Sequence, residues 1–141
     1  MGKAGQLNAA MSDIARYKAA AQAIFEVWST GKLHRLDAIV SPDVMHHDPH
    51  DPNGAAGLAG MKKTIERSRS LSPDLKIRIE DQLADGNRVA TRWMATMTRD
   101  GKRVAISGIT IDRFEDGKIV EAWRCMDMLG LMRQLGDANL R

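Results

Sequence analysis

The stretch that decides the fold runs from Ile111 to Leu135, I-D-R-F-E-D-G-K-I-V-E-A-W-R-C-M-D-M-L-G-L-M-R-Q-L. It reads as a strand, a tight turn at Glu115-Asp116-Gly117, a second strand from Lys118 to about Met126, and a short apolar helix. Taken as a three-residue turn with Gly117 in the left-handed conformation, it pairs Phe114 with Lys118. Gly108 then lies opposite Arg124, and Thr110 opposite Ala122.

Working outward from this hairpin, the hydrophobic period stays at two back to Leu75. Leu75, Ile77, Ile79, Asp81 and Leu83 alternate with charged and polar residues, and Asp85-Gly86-Asn87 turns the chain. Val89, Thr91, Trp93, Ala95 and Met97 form the inner side of the next strand. Asp100-Gly101, the strongest hairpin signal in the chain, pairs Arg99 with Lys102 and so places Trp93 opposite Gly108. One sheet face should carry the rows Trp93-Gly108-Arg124, Thr91-Thr110-Ala122, Ala95-Ile106-Met126 and Val89-Asp112-Val120. The other should carry Arg92, Met94, Ile109, Ile111, Arg113, Glu121, Trp123 and Cys125. This outer face resembles half of a sheet-to-sheet homodimer interface, the alternative being a face covered by another helix.

Before the strands the period is helical. Ile14, Tyr17, Ala21, Ile24, Phe25 and Trp28 share one face of a helix capped by Ser12 or Asp13 and ending near Gly31. Residues 1–12 show no periodicity and are expected to be a flexible segment ahead of a single domain, 13–141. A short helix carrying Leu33, Leu36, Ile39 and Val40 stops at Ser41-Pro42, a short strand enters His46-His47-Asp48-Pro49, and His50 to Gly60 reads as a loop. A third helix spans Met61 to Leu71. Helices first and strands after predict an α+β fold: about three N-terminal helices packed on a cone-shaped, curved antiparallel sheet, with a short C-terminal helix. The pocket should lie between the first helix and the sheet.

Composition narrows the function. The 141 residues are 43% hydrophobic and 28% charged with a net charge of +3, ordinary for one globular domain. No apolar run is long enough to span a membrane, and the N-terminus lacks the apolar core of a signal peptide, so a cytoplasmic protein is expected. The basic helix face Lys62-Lys63-Arg67-Arg69 reads as solvated, and without stacking aromatics or a known module no nucleic-acid partner is expected. The single cysteine, Cys125, reads as a small core hydrophobe.

Three motifs carry a family resemblance: S-P-D-x-x-x-H-D-P (Ser41 to Pro49), D-R-F-E-D-G-K-I-V-E-A-W (Asp112 to Trp123) and D-x-L-G-L-x-R-Q-L-G (Asp127 to Gly136). The chain resembles the SnoaL-like polyketide cyclases of the nuclear-transport-factor-two-like superfamily, which also holds the ketosteroid isomerases. The resemblance implies a cystatin-like, ketosteroid-isomerase-like roll, a sheet-to-sheet dimer, a deep apolar pocket, and neither cofactor nor metal. It also implies closure of a ring by an intramolecular aldol step. Residue by residue the match departs from the cyclases. Their acid/base aspartate falls at Arg124, their pocket histidine and glutamine at Thr110 and Gly108, and their pocket asparagine at His46. Compared with the isomerases, the general base falls at Asp48 of Asp48-Pro49 and the oxyanion acid at Thr110. The oxyanion tyrosine has no counterpart, Tyr17 lying about two helical turns too early.

His46 and Asp48 are two apart on a strand and so share a face, where a carboxylate beside an imidazole can move protons near neutral pH. They are the candidate catalytic pair. The other possibility is a strand-end turn in which Asp48 accepts backbone N–H groups from the loop. Arg124 in an apolar row either stabilises an enolate or binds a carboxylate or ester, or else pairs with Asp112 or a helix carboxylate, or reaches the rim. Trp93 would stack on a flat substrate, with Gly108 leaving room and Thr110 offering a weak donor. A metal on His46, Asp48 and His50 would need the strand to continue through Pro49, so none is expected. Asp127 should cap the last helix. These residues predict a cofactor-free cyclase, isomerase or aldol-type enzyme acting on a small apolar or aromatic carbonyl or ester compound by proton abstraction. The alternative is a non-catalytic small-molecule-binding dimer of the same fold.

Overall fold

The computed structural model describes residues 2–52 and 56–136, the side chains of residues 7–12 excepted. In chain order the elements are α1 (Lys3–Thr30), a 3₁₀ helix (Leu33–Ala38), β1 (Val40–His47), α2 (Gly57–Leu71), β2 (Lys76–Asp85), β3 (Arg88–Arg99), β4 (Lys102–Glu115), β5 (Lys118–Met126) and α3 (Met128–Leu135). The expected α+β architecture is present. The sheet has five strands in the order β1-β5-β4-β3-β2, curved and not closed into a barrel. All neighbours are antiparallel except β1, which joins β5 in parallel.

Helix α1 starts well before the expected cap at Ser12 or Asp13. Residues 3–11 hold alanines, Gln6, Leu7 and Met11 and no proline, so nothing stops the helix from extending backward. It ends at Gly31, which is left-handed at φ 78° and donates its N–H to Val27 O. Arg69 also caps this end, against the expectation of a solvated basic face. Its Nη1 donates to the carbonyls of Trp28 and Ser29, part of the last helical turn whose C=O groups lack helical partners.

The β3–β4 register is as read from the sequence, with Arg99 opposite Lys102 and Trp93 opposite Gly108. The β4–β5 register is not. Asp116 (φ 50°) and Gly117 (φ 78°) make a two-residue turn with both residues left-handed, so Glu115 rather than Phe114 faces Lys118. Val120 is then left without a partner, a bulge between the pairs Phe114–Ile119 and Arg113–Glu121. The net slip is two residues, which preserves the faces but changes the rows. Thr110 lies opposite Arg124, Gly108 opposite Met126, and Asp112 opposite Ala122. A second bulge at Glu80 reverses the end of β2, turning Gln82 inward and leaving Leu83 74% exposed.

Two apolar clusters flank the interior. One gathers Val40, Ile65, Val89, Phe114 and Ile119 with Ile24 and Val27 of α1, and Tyr17 stacks on Phe114 with centroids 4.4 Å apart. The other gathers Phe25, Leu75, Trp93, Met97, Ile106 and Leu131 of α3. Each fully buried side chain of this size stabilises the fold by about 1.5–3 kcal/mol. The outer face is different: Cys125 is exposed rather than core, and Ile109 is 48% exposed. No helix of the described residues is long and apolar enough to cross a membrane.

Candidate functional site

Between the helices and the concave side of the sheet lies a cavity of about 840 Å³. Its sheet wall includes Trp93, Thr110, Asp112, Arg124 and Met126; Phe25 and Trp28 of α1 and Met61 of α2 face them, and His46 and Asp48 stand at the end of β1. The walls are mostly apolar, so each polar group among them needs a cause.

Arg124 and Asp48, picked from the sequence for different roles, are bonded to each other. Arg124 donates from Nε (3.0 Å) and Nη2 (2.5 Å) to Asp48 Oδ2, and its guanidinium lies 5.6 Å from the Trp28 ring centroid. The other carboxylate oxygen of Asp48 accepts the His50 backbone N–H at 2.9 Å, the strand-end turn foreseen as the alternative. Desolvation pushes the Asp48 carboxyl up, but the Arg124 and His50 hydrogen bonds and the Arg124 charge outweigh it, and its pKa is lowered. Asp48 is therefore a fixed anion in an ion pair, a weak base. His46 lines the cavity mouth opposite Ala122 of β5 and makes no bond to Asp48 among the described residues. Desolvation first, then the charges of Arg124 and His47, hold its pKa below the usual value, which keeps it neutral. His47 points to the outer face, bonds Glu121 Oε2 at 2.7 Å and stacks on Trp123.

Trp93 is 4% exposed, and its Nε1 donates to Thr110 Oγ1 at 3.0 Å. That leaves the Thr110 O–H free to donate into the cavity. Gly108 is not on the cavity wall. A Cβ at Gly108 would run into the six-membered ring of Trp93, so the absent side chain makes room for the indole and not for a substrate. Asp127 caps α3, accepting from Gly130 N at 2.8 Å.

The residue not chosen from the sequence is Asp112. It is 3% exposed and lines the cavity, flanked across the sheet by Val89 and Ala122. Among the described residues no donor bonds its carboxyl, and Arg124, one row away, is turned to Asp48. Burial alone raises its pKa to about 7. The signal is present in the sequence, where Asp112 is one of two charges on an apolar face, but the same pattern also fits Asp112 as a partner of Arg124. Among the described residues, no three His, Cys, Asp or Glu side chains are grouped to hold a metal ion.

The chain and its fold have known relatives. Residues 18–135 match the family model of the SnoaL-like polyketide cyclases. TsrD from Streptomyces laurentii is 27% identical, aligns over 86% of this chain and 96% of its own, and superposes with a TM-score of 0.80. A Bacillus cereus protein assigned to the polyketide cyclases is 32% identical over 86% of this chain and 80% of its own, with a TM-score of 0.78. A SnoaL-like polyketide cyclase from Agrobacterium tumefaciens, 24% identical over 85% of this chain and 98% of its own with a TM-score of 0.73, shares the fold. No curated protein matches the sequence. With the model spanning most of its length, the chain belongs to the SnoaL-like polyketide cyclase family, within the nuclear-transport-factor-two-like superfamily.

Proposed function

We propose that this chain is a cofactor-free cyclase-type enzyme that removes a proton beside a carbonyl of an apolar molecule held in the cavity, with Asp112 as the acid/base. The observation that carries this is a carboxyl 3% exposed on the wall of an apolar cavity, with no hydrogen-bonding or ionic partner among the described residues. An unpaired carboxyl in such a place costs stability, and its chemistry is the reason to keep it. At pKa about 7 the acid and the base are both present near neutral pH.

In the reaction so read, carboxylate Asp112 takes the α-proton and the C–H electron pair moves onto the carbonyl oxygen. The Thr110 hydroxyl donates to that enolate oxygen. The enolate carbon attacks a second carbonyl of the same molecule, a C–C bond forms, and the new alkoxide receives the proton held by Asp112. Trp93 packs along the substrate. The Asp48–Arg124 pair and neutral His46 line the mouth, and Arg124 meets an ester or carbonyl there. The protein would act in the cytoplasm as a homodimer through the outer sheet face, where Ile109, Trp123 and Cys125 would find cover.

Proton–deuterium exchange into 2-tetralone, an apolar ketone with acidic α-hydrogens, followed by NMR, tests the proposal without the natural substrate. Catalysed exchange should rise through an inflection near pH 7 and fall at least about a hundredfold in Asp112→Asn. Undiminished exchange in that variant would end the assignment. The alternative, a binding module, draws on the locked state of Asp48, and binding of the ketone by wild-type protein without any exchange would decide for it.

A further inference from the structure

We propose that the end of the cavity at Arg99 is a carboxylate-binding subsite, so that the natural ligand is an elongated apolar acid. The inference rests on Asp112 as the reacting group only for the ligand's direction: carboxylate at Arg99, reacting carbon at Asp112.

Along β3 the residues Thr91, Trp93, Ala95, Met97 and Arg99 alternate onto the inner face, and Arg99 closes this series on the cavity wall. Its guanidinium is held but not neutralised. Nε donates to Ser72 Oγ at 3.1 Å, and Ser72 is fully buried, so the plane of the fork is set. Nη2 meets the Met97 sulfur at 3.7 Å, and a thioether is a weak acceptor. Among the described residues no carboxylate pairs with it. Asp74, on the loop after α2, is already engaged by the Thr98 backbone N–H and hydroxyl and by Arg103.

The next residue across the hairpin adds to the positive field. Lys102 lies directly opposite Arg99, and its Nζ donates to the Leu135 carbonyl, a neutral acceptor. Two like charges facing each other across a hairpin repel, and Asp100 of the turn between them, an exposed side chain, is not paired with either. A fork of fixed orientation, with its outer N–H groups poorly satisfied and a second cation behind it, is organised in advance for a carboxylate.

Between the two ends the wall is apolar: Trp93, Ala95, Met97, Ile106 and Leu131. Asp112 pairs with Val89, ten strand positions from Arg99. At about 3.3 Å per residue, shortened by sheet curvature and by the reach of the arginine side chain, the two functional ends stand roughly 20–25 Å apart. That span fits a chain of fused rings or an extended acyl body, not a compact molecule.

The test uses anthracene-2-carboxylate and its methyl ester, titrated calorimetrically into wild type, Arg99→Gln and Arg99→Lys at fixed salt. Wild type should bind the acid more tightly than the ester. Arg99→Gln should lose about tenfold or more for the acid and nothing for the ester, and Arg99→Lys should fall between. Equal losses for acid and ester, or no loss for the acid, would overturn the subsite. So would a fall in melting temperature with an unchanged acid-to-ester ratio, since Arg99 would then serve only to hold Ser72 at the end of α2. Should Arg99→Gln not fold, wild type alone decides, because equal affinity for acid and ester rejects the proposal. Failure of the Asp112 assignment is separable: it shows in the exchange of 2-tetralone, a ketone without a carboxylate, and not in the acid-to-ester comparison between wild type and Arg99→Gln.

Discussion

Arg124 and Asp48 are joined through a single carboxylate oxygen: both Nε and Nη2 of the arginine converge on Asp48 Oδ2. The pair fastens the end of β1 to β5. It also withholds from Asp112 the one cation in the adjacent row. The arginine that stands where the family resemblance implies a cyclase aspartate is, in space, a clamp beside a different aspartate.

Replacing Asp48 by Asn should therefore act at a distance. Freed from its anion, Arg124 lowers the pKa of Asp112, and the inflection in the exchange rate moves to lower pH. The variant should also lose about 1–3 kcal/mol at neutral pH. Because the pKa of Asp48 is lowered on folding, its contribution is present above the ordinary carboxylate pKa and fades as pH falls through the native value. Denaturant titration at pH 7 and pH 3 checks this, and a cost equal at both would contradict it.

Asp112 has the opposite linkage. Its native pKa, about 7, lies above the ordinary carboxylate value of 3.8, so its favourable contribution is whole below about pH 4 and is lost as pH rises through 7. Of order 4 kcal/mol is at stake across that window. Asp112→Asn should thus be more stable than wild type at pH 8 and near it at pH 4. Parallel pH–stability curves for the two proteins would show that burial does not burden this carboxyl.

Gly108→Ala tests the packing beneath Trp93. The new methyl meets the indole, which cannot retreat without breaking its Nε1 bond to Thr110. We expect a loss of about 1–3 kcal/mol, read as a lower melting temperature, with a shift in tryptophan emission. An unperturbed melting curve would mean that the indole has slack.

On the outer face, Ile109→Asp should leave the fold intact and convert a dimer to a monomer in sedimentation, since the side chain is 48% exposed and lies on the face proposed to bury against a second copy. Unchanged sedimentation would remove that face from consideration.

Much of this was legible in advance. Strand alternation and Asp100-Gly101 placed Trp93 opposite Gly108 correctly because a two-residue turn leaves no freedom in register. The β4–β5 rows slipped because a bulge at Val120 has no sequence signature of its own, and because Glu115-Asp116-Gly117 fits turns of two residues or three. The slip was even, so Thr110, Asp112 and Arg124 still appeared on the correct face. The partner of Arg124 could not be read, since Asp48 sits in a turn after β1 and reaches β5 only through a parallel pairing. The small space above Gly108 was recognised but given to a substrate, because alternation tells which residues share a face and not which side chain fills a gap.

The parallel pairing of β1 also bears on how the protein folds. Strands β2 to β5 are joined by tight turns and can zip from local contacts. Strand β1 must return from far along the chain, with Arg124 and Asp48 separated by 76 positions. Closing such a loop is slow and late. The mouth of the cavity is thus the piece that docks last and opens first. In native-state hydrogen exchange the amides of Met45 to His47 should be released in smaller, cheaper openings than those of β4. A protein caught with β1 undocked would keep most of its sheet and still have no mouth.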